Sequence, residues 1–307
     1  MDPIDTNAIL GFIGVGAMGS RIVRRLLDAG YTVMVYDSDL SKEETLASDG
    51  AIAGDSLAEI ASRARVILSC LPDDGAVKWV YLGPDGIISH ATQGTIFVEM
   101  STIRPKASRE LARAGAEHGI HVLDVAISGS TTAVEQGLVT LLGGGDSEVF
   151  AAVEPIFKAI AKQYFHLGPS GSGTAAKLVV NTLLGVGIQA VAEACALGQA
   201  QGLARTQLFT VLSKTAVVAP VHVGKLLRAL HDDYSPQFPL RLMNKDFRLI
   251  LETAAELDLA LPTTEAAFQI NSEAFELGLD QDFSIVIREM ESRSHEKNVQ
   301  QAAEHQA

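Results

Sequence analysis

Two hydrophobic patterns alternate through the first half of the chain. Short, almost wholly apolar runs recur at Ile9–Ile13, Val33–Tyr36, Val66–Cys70, Thr95–Glu99, Val122–Val125, Val139–Leu142 and Tyr164–His166. Runs this short and apolar, bounded by turn residues, predict strands. Between them the apolar spacing becomes helical. Ile22, Val23, Leu26 and Leu27 share one face of a segment that Gly30 ends, and Ser56–Ser62, Pro105–His118 and Ser147–Ala161 are amphipathic in the same way. Strand and helix in strict alternation imply parallel βα units, and right-handed crossovers would stack them into a doubly wound sheet.

Past Gly168-Pro169-Ser170-Gly171-Ser172-Gly173 the strand pattern stops. Helices are predicted over Thr174–Gln201, Thr206–Ala216, Val223–Ala229, Leu240–Leu257 and Thr263–Leu277. The expected organisation is a sheet domain over residues 1–167, an all-α domain over 168–292 and a polar tail over 293–307. The Gly/Ser/Pro stretch serves as a linker, as the N-terminal turn of the long helix, or as both. The fold class is α/β: a Rossmann-type doubly wound parallel sheet domain followed by an all-α helical domain.

The first strand runs into Gly14-Val15-Gly16-Ala17-Met18-Gly19, a G-x-G-x-x-G turn, then a helix, a second strand and Asp37. Gly14 suits the tight turn, Gly16 the close approach of a pyrophosphate and Gly19 the packing of helix on strand. The phosphates would lie at the positive end of the helix dipole, beside the backbone of Ala17 and Met18. Asp37 can accept hydrogen bonds from an adenosine ribose 2′-hydroxyl, whereas a 2′-phosphate there meets like charge. NAD is therefore expected, with NADP less favoured. Lys42, the only cation among the next residues, is expected to be a solvated first-turn residue of the following helix.

A net charge of −13 argues against nucleic acid and anionic membrane surfaces as partners, since both require basic patches. Cys70 and Cys195 offer no disulfide framework and are expected to be buried small residues. Met1–Asn7 lacks the character of a signal peptide, and Leu178–Gly198 contains Asn181, Gln189 and Glu193, which favours a buried helix over a membrane span. A cytoplasmic location follows as an expectation. None of the eight His stands at metal-ligand spacing with Cys or Glu, so no metal site is expected.

Lys177 and Asn181 lie one helical turn apart, so their side chains share a face. Taken alone, Lys177 is either a solvated helix lysine or a proton donor beside a reacting carbonyl, where its ammonium stabilises the developing alkoxide. Ser128 and Gly129 follow a strand end and read as a carboxylate cradle or an ordinary turn. Lys245-Asp246 reads as a site pair or as an exposed ion pair.

Four segments together resemble the β-hydroxyacid dehydrogenase family, which includes 3-hydroxyisobutyrate dehydrogenase and tartronate semialdehyde reductase. They are GFIGVGAMG (from Gly11), Asp124 to Gly145 (DVAISGSTTAVEQGLVTLLGGG), Gly171 to Gly185 (GSGTAAKLVVNTLLG) and Phe238 to Asp246 (FPLRLMNKD). With the minor matches Leu71-Pro72 and Met100-Ser101-Thr102, the resemblance covers nearly the whole chain. It implies Lys177 as catalytic general acid/base with Asn181 beside it, and a substrate site of Ser128, Gly129, Ser130, Lys177, Asn181 and Lys245. It also places Lys245 near the nicotinamide with Asp246 holding it, and Leu71, Pro72 and Thr102 along the nicotinamide and its ribose. Two departures stand out: Ser130 replaces the family's second glycine and Thr182 replaces a frequent asparagine, both pointing to an altered pocket.

The expected activity is NAD-dependent interconversion of a small 3-hydroxy acid and its semialdehyde. An imine reductase is the enzyme alternative, and a non-catalytic dinucleotide-binding scaffold the alternative from another class; Lys177 weighs against the first, and Lys177, Asn181 and Lys245 against the second. A 6-phosphogluconate dehydrogenase would need a longer helical domain. The apolar circumference of the long helix (Val179, Leu183, Leu184, Val186, Ile188, Val191) predicts a homodimer or homotetramer.

Overall fold

The computed structural model describes residues 1–293, so the polar tail expected over 293–307 lies outside it beyond its first residue. The chain divides into two compact units, Met1–Leu178 and Val179–Ala307.

In the first unit the strands are β1 (Ile9–Ile13), β2 (Thr32–Tyr36), β3 (Ile52–Ala53), β4 (Val66–Ser69), β5 (Ile96–Glu99), β6 (His121–Ser128), β7 (Thr140–Gly144) and β8 (Gln163–His166). The helices are α1 (Gly19–Asp28), α2 (Leu40–Ser48), α3 (Leu57–Arg63), α4 (Asp74–Leu82), α5 (Ile87–His90), α6 (Pro105–Glu117), α7 (Thr131–Glu135), α8 (Ser147–Ala152) and α9 (Glu154–Ile160). The strands form one eight-stranded sheet in the order β3-β2-β1-β4-β5-β6-β7-β8.

Alternation along each strand splits the core into two layers. Leu10, Phe12, Val33, Val35, Leu68, Val98, Leu123 and Val125 fill one face, whereas Ile13, Met34, Ile67, Phe97 and Val122 fill the other. Both faces are buried, which is why these segments read as unbroken apolar runs.

Three features depart from the sequence reading. The pairs from β3 through β6 are parallel, but β7 runs antiparallel to β6, with Ser128 opposite Thr140. The segment joining them holds only the short α7 and the Gly137 turn (φ 67°), too little for a crossover that would return β7 parallel. The helix expected over Ser147–Ala161 is two, because Pro155 stands in the first turn of α9 and has no N–H to continue α8. The edge strand β3 has two exposed residues and therefore no apolar signal.

The helical elements are α10 (Ser172–Ala200), which begins in the first unit, then α11 (Arg205–Leu212), α12 (Pro220–Ala229), α13 (Leu240–Glu256) and α14 (Pro262–Glu276). The compact division falls inside α10, beyond the Gly168 break in the sequence. By length and composition α10 could cross a membrane, and 44 % of its most apolar stretch is buried within the chain. In the second unit, the buried Asp282 carboxylate gathers Lys225 Nζ at 2.7 Å, Gln237 N at 3.0 Å and Phe238 N at 3.1 Å. That one acceptor ties α12 to the segment leading into α13.

Candidate active site

β1 delivers the chain into the glycine turn. Gly14 sits at φ 87° and donates its N–H to Tyr36 O at 2.9 Å. A Cβ on Gly14 would collide with the Cys70 carbonyl, and one on Gly19 with the Gly14 carbonyl, whereas a Cβ on Gly16 would meet nothing within 4 Å. Gly14 and Gly19 are thus required by close packing of the turn, and the backbone at Gly16 is open to a ligand. Downstream, α1 starts behind Met18 with no side-chain cap and no acid in its first turn. Its leading N–H groups and positive dipole end suit a pyrophosphate, so the chain's own residues fit a dinucleotide.

Asp37, at the end of β2 and 8 % exposed, is held by its surroundings. Its Oδ2 accepts Val15 N at 2.9 Å, which fixes the carboxylate against the glycine turn, and its Oδ1 accepts Asp39 N at 3.0 Å. Its own N–H donates to the buried Glu43 at 2.6 Å. Lys42 lies in the first turn of α2 with its side chain 43 % exposed, as expected, and its ammonium is also 3.1 Å from Asp37 Oδ1 and 3.7 Å from Asp39. Two facing carboxylates hold the cation, and the pairing raises the Lys42 pKa. Beside it, Gly16, Ser20, Arg24, Lys42 and Thr45 line a cavity of about 260 Å³.

The turns after β4 and β5 carry Leu71, Pro72 and Thr102. They are fastened to each other: Leu71 N donates to Ser101 Oγ at 2.7 Å, and Arg104 donates to Asp74 at 2.8 Å. Pro72 is exposed and Thr102 half-buried at these strand ends. Cys70 is half-buried, less hidden than expected, while Cys195 is buried and its thiol is pushed up to about 12 by that burial.

The stretch from Asp124 to Ser130 leads along β6 to its carboxyl end. Ser128 is half-buried there, and Gly129 adopts φ 152°, where a Cβ would lie 2.7 Å from Val139 Cγ1. Ser130 caps α7, its Oγ accepting Ala133 N at 3.2 Å. The hydroxyl that replaces a family glycine therefore has a local structural use, and its proton is still available to a ligand. Asp124 is 2 % exposed and grips the start of α10: it accepts Gly171 N at 2.8 Å, Thr174 N at 2.8 Å and Thr174 Oγ at 3.2 Å. Burial raises the Asp124 pKa, and these donors partly offset the rise. The Gly/Ser/Pro stretch is thus a fastened N-terminal turn. Lys177 follows one turn on and is half-buried.

In the second unit, Asn181 lies one turn past Lys177 on α10 and is 1 % exposed. Its Nδ2 donates to Asp246 Oδ2 at 2.5 Å, and Lys245 Nζ lies 3.0 Å from Asp246 Oδ1. A single buried carboxylate on α13 therefore holds both the asparagine and the second lysine. Asn181 Oδ1 is buried with no hydrogen-bond partner among the described residues. Thr182 is half-buried beside it.

The first unit thus brings together the glycine turn with Asp37, and Leu71 with the Thr102 turn. The second unit brings together Asn181, Lys245 and Asp246. Sequence reasoning gave no site role to Glu43, Ser101, Arg104 or Glu99; Ser101 stood only within the Met100-Ser101-Thr102 match, and Glu99 gave a signal as an acid closing an otherwise apolar strand.

Residues 9–168 match the family described as the NAD binding domain of 6-phosphogluconate dehydrogenase, and residues 171–290 match NAD-binding of NADP-dependent 3-hydroxyisobutyrate dehydrogenase. The chain is 33 % identical to 2-(hydroxymethyl)glutarate dehydrogenase of Eubacterium barkeri, over 91 % of its own length and 93 % of that protein's. It is 34 % identical to the NAD-dependent L-serine dehydrogenase of Pseudomonas aeruginosa, over 90 % and 96 % of the two chains. The crystal structure of 3-hydroxyisobutyrate dehydrogenase from Mycobacterium tuberculosis, with L-serine, superposes with a TM-score of 0.83 at 28 % identity, over 92 % and 99 % of the chains. With the glycine turn, the Asp37 anchor, Lys177 and the Asn181–Asp246–Lys245 cluster in place, the chain belongs to the β-hydroxyacid dehydrogenase family.

Proposed function

We propose that the protein oxidises a small 3-hydroxy acid to its semialdehyde, or runs the reverse reduction, with Lys177 as general acid/base. The observation that carries this reading is the Asp246 carboxylate holding Asn181 at 2.5 Å and Lys245 at 3.0 Å, with Lys177 one turn before Asn181. When bound, the nicotinamide accepts or delivers the hydride. Lys177 takes the hydroxyl proton in oxidation and returns it in reduction, its ammonium stabilising the alkoxide oxygen. Asn181 Oδ1 orients the hydroxyl, and the Lys245 ammonium receives the carboxylate. The same residues weigh against a non-catalytic scaffold, which has no use for a buried asparagine–carboxylate–lysine cluster, and against an imine reductase.

NAD is the preferred cofactor in this reading, because Asp37 is anchored by Val15 and places negative charge where a 2′-phosphate would lie. Lys42 softens that repulsion without removing it. The working form is a homodimer: Val179, Leu183 and Leu197 on α10 are 63 %, 71 % and 65 % exposed, an apolar face suited to a second copy. Light scattering at micromolar concentration should show twice the 32.5 kDa chain mass.

The decisive experiment is a panel of 3-hydroxy acids and short semialdehydes, followed by NADH and NADPH absorbance. Turnover of at least one carboxylate substrate with NAD(H) supports the reading. Reduction of cyclic imines with no turnover of any hydroxy acid or semialdehyde would replace it.

A further inference from the structure

We propose that Glu99 and Ser101 form a positioning relay that sets the two turns bordering the nicotinamide half of the cofactor. The proposal rests on cofactor binding at the carboxyl ends of the strands, as the family membership requires.

Glu99 ends β5 and is 1 % exposed. A carboxyl that deep is costly to desolvate, and it is justified only by the donors it collects. Its Oε1 accepts Ser101 N at 2.9 Å, Ser101 Oγ in a short bond, and Ser69 Oγ at 3.3 Å. Ser69 Oγ in turn meets Tyr81 OH at 2.7 Å, which carries the network from β4 to α4. Ser101 Oγ has a second partner, the Leu71 N–H at 2.7 Å. Leu71 N, Ser101 Oγ and Glu99 thus form one chain of hydrogen bonds, in which the hydroxyl accepts from one turn and donates to the carboxyl anchoring the other.

The turns so joined are Leu71-Pro72 and Ser101-Thr102, both just beyond strand ends, where open α/β sheets bind ligands. The adenosine half relies on different anchors: Gly14 to Gly19, and Asp37 held by Val15. Loss of the Ser101 hydroxyl strands the Leu71 N–H and removes a donor from the buried Glu99, so the turn after β4 loses its registration. The Arg104–Asp74 pair, 2.8 Å apart, still joins the same loops farther out, so the fold survives.

The test compares two probes on the purified full chain, NADH and ADP, the latter having no nicotinamide ribose. Ser101→Ala is expected to weaken NADH binding by ~10-fold while ADP binding stays within ~2-fold, and Ser101→Thr, which keeps the hydroxyl, should restore NADH binding to within ~3-fold. Unchanged NADH affinity in Ser101→Ala overturns the proposal. Equal loss of NADH and ADP also overturns it, because the hydroxyl would then serve only general stability. Failure of the wild-type chain to bind NADH or NADPH would remove the cofactor reading itself, and the relay with it.

Discussion

Asp124 accepts the backbone N–H of Thr174 at 2.8 Å, so the last buried acid of β6 is also the anchor of the helix that carries Lys177. The same carboxylate accepts Gly171 N at 2.8 Å, which closes the glycine-rich turn onto the sheet. Asp124→Asn replaces one accepting oxygen with a donor facing another donor. We expect a stability loss of about 2 kcal/mol in urea denaturation. Turnover should fall further than dinucleotide affinity, because α10 begins at this clamp and the glycine turn does not. Wild-type stability in the variant would show that the clamp is dispensable.

Cofactor choice should follow charge at Asp37. Replacing Asp37 with Ser and Ser38 with Arg is expected to move the NAD/NADP ratio of kcat/KM by at least ~10-fold toward NADP, about 1.4 kcal/mol. Lys42→Ala should move it the other way, since it strips a cation 3.1 Å from the carboxylate. Steady-state kinetics with both cofactors decide the matter; equal efficiency of the unaltered chain with each would contradict the assignment.

Removing the proton donor should be far more damaging than removing a binding contact. Lys177→Ala is expected to lower kcat by roughly 10²–10⁴ with little change in dinucleotide affinity. Lys177→Arg should rescue poorly, because a guanidinium keeps its proton. Lys245→Ala should mainly raise KM for the acid. Near-normal turnover in Lys177→Ala would assign the proton transfer to another group.

Glu99 should leave a mark on the pH dependence of stability. Burial pushes its carboxyl from 4.5 to about 7, against the opposing bonds from Ser101 and Ser69, with the Asp124 charge on the next strand adding to the rise. Tyr81, joined through Ser69, is fully buried and has its own pKa raised, so it stays neutral throughout. The folded chain therefore holds the Glu99 proton more tightly than the unfolded one. That contribution is fully present below pH 4.5 and is lost as pH rises through about 7. Across this window, the stability difference between wild type and Glu99→Gln should change by about 3 kcal/mol in favour of the variant. A pH-independent difference in denaturation midpoints would refute it.

Much of this architecture is legible in the sequence because its strands are buried on both faces. Phe12, Leu68 and Val98 face one layer while Ile67 and Phe97 face the other, so the apolar runs are continuous and easily found. The glycine turn and Asp37 are equally plain, because local geometry dictates them. What the sequence hides is pairing at long range. Asn181 and Asp246 are separated by 65 positions, and nothing local says that one holds the other. The pairing of the exposed Lys42 with Asp37 is hidden in the same way, because Asp37 precedes the turn that folds the lysine back onto it. The reversal of β7 follows from how little chain α7 contributes, a fact of connection length that hydrophobic pattern does not record.

The glycine turn also separates two properties that usually fail together. At Gly14 and Gly19 a methyl group would strike the protein's own carbonyls, so change there damages folding first. At Gly16 the same methyl would point into open space, leaving the chain free to fold around it. Gly16→Ala therefore offers a decoy: a protein of ordinary stability whose doorway is narrowed only for the dinucleotide. Such a chain would keep its fold and its surface while binding the dinucleotide poorly. It would allow roles that depend on presence to be told apart from roles that depend on turnover.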